Sequence, residues 1–112
     1  MIPRIKAAIW VDAEIRRCRV NGIDAYLVRR GDEHAGAILI KHNRFDAGCT
    51  VYVPTASPDG GRAWRRGTGD DPVPEADADA YIARQRGYDP DLWVVEIEDP
   101  RGGWALAEPV LE

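Results

Sequence analysis

Among its 112 residues the chain has two cysteines, one methionine, one phenylalanine and a single serine, Ser57. Two thiols far apart in sequence, without a secretory leader, point to reduced, buried side chains for Cys18 and Cys49 and not to a disulfide framework. Neither they nor His34 and His42 form a C-x-x-C or H-x-x-x-H spacing, so no metal site is expected. Ser57 lies in a proline-bounded turn without nucleophile-elbow glycines, which argues against serine hydrolase chemistry. No apolar stretch approaches the roughly 20 residues that span a bilayer, and the start of the chain has no signal-peptide core. A cytoplasmic protein without a membrane segment is expected. G-x-G-x-x-G and phosphate-loop motifs are also missing; Gly67-Thr68-Gly69 runs into two aspartates that would repel a phosphate, so no cofactor is expected.

What is there suits one folded domain over 1–112: 45% hydrophobic residues, 30% charged, four Trp and four Tyr. The net charge of −4 conceals a division at Arg66. Residues 1–66 carry 12 Lys and Arg against 7 Asp and Glu, whereas 67–112 carry 3 Arg against 12 acids. A pI near 5.2 and the lack of any recognition-helix, zinc-finger or RNA-binding signature do not favour nucleic acid as the partner.

Ile5, Ala8, Val11, Ile15 and Cys18 recur at helical spacing, with Asp12, Arg16 and Arg19 toward the other side, and Asn21-Gly22 marks the helix end. The start is less well marked, between about residues 4 and 12. Runs at 25–30 and 37–42, separated by a segment with two glycines and an aspartate, read as a hairpin. Strands follow at 49–53 and 62–66. Pro74 opens a second helix with Glu75, Asp77 and Asp79 early and Arg84 and Arg86 late, as the helix dipole favours, and Gly87 is expected to close it. Its small-residue stripe, Ala76, Ala80 and Ala83 beside Tyr81 and Ile82, is expected to lie on the sheet. A last strand at 92–98 alternates Trp93, Val95 and Ile97 against Leu92, Val94, Glu96 and Glu98, and 104–111 adds a short edge segment, since Pro109 forbids a central one. The fold class is α+β: an antiparallel sheet of four or five strands with two helices, in the order α-β-β-β-β-α-β.

Arg29-Arg30-Gly31-Asp32 with residues 35–41, the helix segment 79–86, and Asp89-Pro90-Asp91 running into 92–99 together resemble the short alphaproteobacterial proteins of domain-of-unknown-function family 1491 over nearly the whole chain. The resemblance implies an alphaproteobacterial origin and a stand-alone small protein. It carries no activity, ligand or catalytic residue onto these positions.

The candidate anion- or partner-binding residues are Arg29, Arg30, Lys41, Arg65 and Arg66, with Arg44, which a meander can bring to one rim. The acidic candidates are Asp32, Glu96 and Glu98; Glu96-Ile97-Glu98 lacks the lysine of a metal-dependent nuclease motif. A salt-bridged surface is the competing reading, because the acidic part belongs to the same domain. Arg30-Gly31-Asp32 matches an adhesion tripeptide, but here it reads as a turn. Trp64 and Trp104, flanked by polar turns, are expected to be the exposed tryptophans. The function is not legible. The favoured expectation is a non-enzymatic binding or adaptor module that takes a protein partner or self-associates; the alternatives are a small enzyme acting on an anionic substrate and a weak nucleic-acid-associated protein.

Overall fold

The computed structural model describes residues 5–34 and 36–111. Helix α1 (Ala7–Val20) is followed by β1 (Asp24–Arg29), β2 (Ile38–Asn43), β3 (Cys49–Thr55), β4 (Ala63–Arg66), α2 (Glu75–Tyr88) and β5 (Trp93–Glu98). This is the expected α-β-β-β-β-α-β order. The five strands form one sheet in the order β1-β5-β2-β3-β4.

The sheet is mixed and not wholly antiparallel. β5 enters between β1 and β2, pairing antiparallel with β1 and parallel with β2. The expected hairpin of the first two strands is therefore absent. The physical reason lies in residues 31–34 and 36, which close over the start of β5 where β1 and β2 stand two strand spacings, about 9.6 Å, apart. Gly31 and Gly36 pack against the Asp91 carbonyl and the Trp93 indole with no room for a Cβ. Asp32 N–H donates to Asp91 O at 2.9 Å, and Trp93 Nε1 donates to Asp32 O at 2.7 Å. The glycines serve close approach and not a tight turn.

The helices cover opposite faces. Ala7, Trp10, Val11 and Cys18 of α1 pack with Ala25, Ile38, Ile40, Trp64, Trp93, Val95, Ile97 and Trp104. Ala78 and Ile82 of α2 pack with Leu39, Cys49, Val51, Val53, Leu92 and Val94. Covering on both sides explains why every residue of β2 is buried. It also corrects the expected contact face of α2: Ala76, Ala80 and Ala83 are exposed, and Ala78 and Ile82 turn inward with Tyr81 half-buried. That helix runs through Gly87 and ends at Tyr88, capped by Asp89. α1 ends where expected: Gly22 takes φ +74°, Gly22 N–H donates to Arg19 O and Ile23 N–H to Cys18 O, which satisfies the last carbonyls. Ile5 lies outside this helix and is half exposed.

Trp64 and Trp104 are buried, contrary to expectation. Both indoles reach carboxylates that neutralise the polar edge of the ring: Trp64 Nε1 and Trp10 Nε1 donate to the two oxygens of Glu108 at 3.1 and 2.8 Å, and Trp104 Nε1 to Glu14 at 2.6 Å. Glu108 thus pins the C-terminal segment to the core. Val110 forms a parallel bridge to Trp64, closed by Trp64 N–H to Pro109 O and Leu111 N–H to Trp64 O. The expected edge segment is reduced to this one bridge, which covers the outer side of β4 at Trp64. Glu108→Ala leaves two indole donors without an acceptor and is expected to cost about 2–4 kcal/mol in urea unfolding; a wild-type midpoint would contradict this role.

Candidate docking edge and internal polar networks

Three places hold the residues able to do chemistry. The first lies between β2, β5 and α2. β2 is central, so Lys41 is buried there, and its ammonium reaches the acids of α2 and β5: Glu75 and Asp79 at 2.7 Å each and Glu96 at 3.4 Å. Asn43 Nδ2 donates to Glu75 and Glu96 at 3.3 Å. Burial alone would lower the Lys41 pKa, but the hydrogen bonds it donates to Asp79 and Glu75 and the charge of Glu96 outweigh it and hold it well above the ordinary lysine range. Lys41 is a structural cation with no charge left over for an anionic ligand.

The second lies where α1 ends against the turn after β5. A groove of about 630 Å³ is lined there by Arg17, Asn21, Asp24, Glu98, Arg101 and Trp104, among others. Beneath it Asp99 is buried and accepts from His42 Nε2 at 2.8 Å, Gly103 N–H at 3.0 Å and Trp104 N–H at 2.9 Å. Burial tends to raise the Asp99 pKa; the hydrogen bonds from His42, Trp104 and Gly103 outweigh it and leave the carboxyl below its usual range. Burial lowers the His42 pKa more than Asp99 raises it. The pair is therefore a carboxylate accepting from a neutral imidazole, with the proton on Nε2. Glu14 accepts a bidentate pair from Arg17 at 2.9 and 2.6 Å besides the Trp104 indole. The Cys18 thiol is pushed up to about 11 by burial and by Glu14, which keeps it protonated and unreactive at neutral pH. Both cysteines are free and buried. Burial raises Cys49 likewise.

The arginines do not meet on one rim. Arg29 ends β1, with Arg30 beside it, and Arg65 and Arg66 end β4, at the opposite side of the sheet. Four strand spacings put these pairs about 19 Å apart. Arg29 donates to Pro90 O, Arg30 lies over the Trp93 ring at 5.0 Å, and Arg66 lies over Tyr52 at 6.0 Å. Arg65 is exposed on β4. Of the acids, Glu96 joins Lys41, Asp32 belongs to the loop over β5, and Glu98 sits opposite Asp24 near the β1 edge.

The third place is that edge. Among the described residues β1 has a neighbouring strand on one side only. Its burial is low throughout except at Ala25, and Tyr26, Leu27 and Val28 are 46%, 42% and 59% exposed. Val28 is the extra residue of a bulge between Leu27 and Arg29. α1 lies along this strand, and the two enclose a shallow groove of about 560 Å³ formed by Asp12, Ile15, Arg16, Arg19, Val20 and Leu27. Val20, 80% exposed, extends the apolar surface onto the helix end. An edge strand open on its outer side is a template for another strand; here the Ala25 carbonyl accepts from Arg19 Nη2 at 3.2 Å, and among the described residues the rest of the edge is open. The signal was present in the sequence as Tyr26-Leu27-Val28, an apolar run with no inward alternation.

Among the described residues no helix is long and apolar enough to cross a membrane, and no three His, Cys, Asp or Glu side chains converge as metal ligands. The family model for a protein of unknown function, DUF1491, matches residues 5–107. A crystal structure of a DUF1491 family protein from Caulobacter crescentus is 40% identical, with a TM-score of 0.83 over 96% of this chain and 99% of that one. An NMR structure of a DUF1491 family protein from the same organism is 39% identical, with a TM-score of 0.81 over 96% and 97%. A solution structure of a protein from A. tumefaciens is 29% identical, with a TM-score of 0.77 over 95% and 97%. No curated protein matches the chain. Sequence and fold agree across nearly the full length, and the chain belongs to the DUF1491 family of proteins of unknown function.

Proposed function

We propose that this chain is a one-domain, cytoplasmic, non-enzymatic binding module that docks its partner along β1. The observation that carries this reading is the asymmetry of the sheet edges. The β4 side is bridged at Trp64 by the segment around Pro109–Leu111, while β1 presents Tyr26, Leu27 and Val28 to solvent and, among the described residues, has no strand on its outer side. Strand addition to such an edge draws affinity from main-chain hydrogen bonds and specificity from the side chains that flank it. The state of the titratable groups supports binding over catalysis: Glu14, Lys41, His42 and Asp99 are buried, with Lys41 held by Glu75, Asp79 and Glu96, His42 by Asp99, and Glu14 and Asp99 by indole and backbone donors.

A photo-crosslinking amino acid placed at Val28 in the chain expressed in its host tests the reading, with the same probe at Ala76, exposed on α2, as the control. One discrete adduct from position 28, lost when Leu27→Lys is added and missing from position 76, is the expected result. No adduct from position 28, or the same adducts from both positions, overturns it.

A further inference from the structure

We propose that the occupant of the β1 edge is a second copy of this chain, paired antiparallel about a two-fold axis through the middle of the strand, so that two five-stranded sheets join into one. This inference rests on the docking reading above and names its partner.

The edge is complementary to itself in charge. β1 runs from Asp24, with Glu98 opposite it on β5, to Arg29 and Arg30. The two acids face the same side as Tyr26 and raise its phenol pKa, Asp24 foremost, with Arg19 at the same end opposing them. A two-fold axis through the strand centre inverts its direction and brings the acidic end of each copy beside the arginine end of the other. The helix flanking the edge repeats the pattern. Asp12, Arg16 and Arg19 face the groove along β1, and Asp12 and Arg19 lie seven residues, about two turns or 10 Å, apart. The same axis runs the two α1 helices antiparallel and brings Asp12 of one toward Arg19 of the other. Between these charges Val20, Leu27 and Val28 supply the apolar surface that pairing removes from water. An unrelated strand would gain from the apolar row but would not need opposite charges at both ends on both elements.

The covered β4 edge decides what kind of assembly results. With Val110 bridged to β4 at Trp64, β1 is the open sheet edge among the described residues, so pairing through it is isologous and closes at two copies. The bulge at Val28 works the same way, because it limits the regular stretch that a further strand can follow.

Sedimentation velocity and light scattering of the full chain test this. At about 0.1 M salt the wild type is expected at twice the 12.4 kDa chain mass, dissociating on dilution and on addition of salt. Val28→Lys puts a charge into the apolar stretch that pairing removes from water and is expected to raise the dissociation constant at least about 100-fold; because Val28 is exposed, the far-ultraviolet circular dichroism stays that of the wild type. Asp24→Arg alone weakens the dimer, and Asp24→Arg with Arg30→Asp in the same chain restores it. A wild type that stays monomeric to millimolar concentration, a dimer indifferent to Val28→Lys, or no recovery in the double charge reversal overturns the inference. The crosslink at Val28 separates this from failure of the docking reading: an adduct at twice the chain mass supports both, an adduct of another mass leaves docking and removes the second copy, and no adduct removes both.

Discussion

Asp99→Ala is expected to destabilise the protein by about 3–5 kcal/mol, the largest effect of any single polar substitution. Three donors converge on this carboxylate, from His42, Gly103 and Trp104, and the residue itself is 3% exposed. Removing the acceptor leaves all three without a partner beside the groove. It also frees the turn that carries Trp104, whose ring stacks on His42 at 4.8 Å and on Tyr52 at 5.8 Å. Asp99→Asn keeps the shape and one acceptor oxygen, so it is expected to recover part of the loss. Equilibrium unfolding in urea checks both, and an alanine variant within 1 kcal/mol of wild type would contradict the role.

The same pair sets a pH dependence. His42 is held below its ordinary value by burial, so the unfolded chain takes up a proton near pH 6.5 that the folded chain does not. Stability therefore falls as the pH drops below about 6.5 toward the folded value. Asp99 adds a second loss: its contribution is present above about pH 3.9 and disappears as the pH falls through its lower folded value. His42→Gln is expected to remove the first limb and leave the second. Urea midpoints measured from about pH 7.5 to about pH 2 show whether it does.

Lys41→Ala is the second large effect, at about 2–4 kcal/mol. The cost of removing one partner of a buried pair is reduced here because Glu75 and Asp79 are more than half exposed and can turn to water. Glu96 cannot; it is mostly buried and loses its only ion-pair partner among the described residues. Lys41→Met, which keeps the stem, isolates the charge and is expected to lose less than alanine. Because the folded Lys41 pKa is raised, the ion-pair stabilisation is fully present below about pH 10.4 and is lost only as the pH rises through the folded value, above that. The Lys41→Ala deficit should therefore vanish in strong alkali and not near neutrality. A deficit that instead disappears between pH 6 and 9 would show that Lys41 titrates there.

The end of α1 and the start of α2 were legible because local residues determine them. Asn21-Gly22 permits the left-handed turn that stops α1, and Pro74 with Glu75 and Asp77 starts α2. Strand order was not, because pairing is decided by contacts far apart in sequence. The loop at 31–36 looks like a hairpin turn until β5 is known to lie beneath it. One signal was available: Leu92, Trp93, Val94 and Val95 are apolar on both faces, the mark of a central strand, and so is the run 38–40. The same signal bears on Lys41. A lysine that follows Ile38-Leu39-Ile40 in a strand covered on both sides is buried and needs acids, which the acidic second part of the chain provides from α2 and β5.

The polar networks of Glu14, His42, Asp99 and Glu108 left no pattern of spacing, because their members come from separate elements: Glu14 and Trp104 are 90 residues apart, Trp10 and Glu108 are 98. What the sequence did carry was a demand. Four indole N–H groups in a small domain need acceptors, and the fold meets this with two carboxylates and the Asp32 carbonyl. The charge division of the chain has the same outcome in part: its basic and acidic sections meet within the fold at Lys41.

Amide hydrogen exchange along β1 tests the association most directly. If two copies pair there, protection of the outward-facing amides of residues 24–28 rises with protein concentration and is lost in Val28→Lys, while the amides of residues 63–66 on the covered β4 edge exchange at one rate throughout. Exchange in β1 that is independent of concentration and unchanged by Val28→Lys would contradict it.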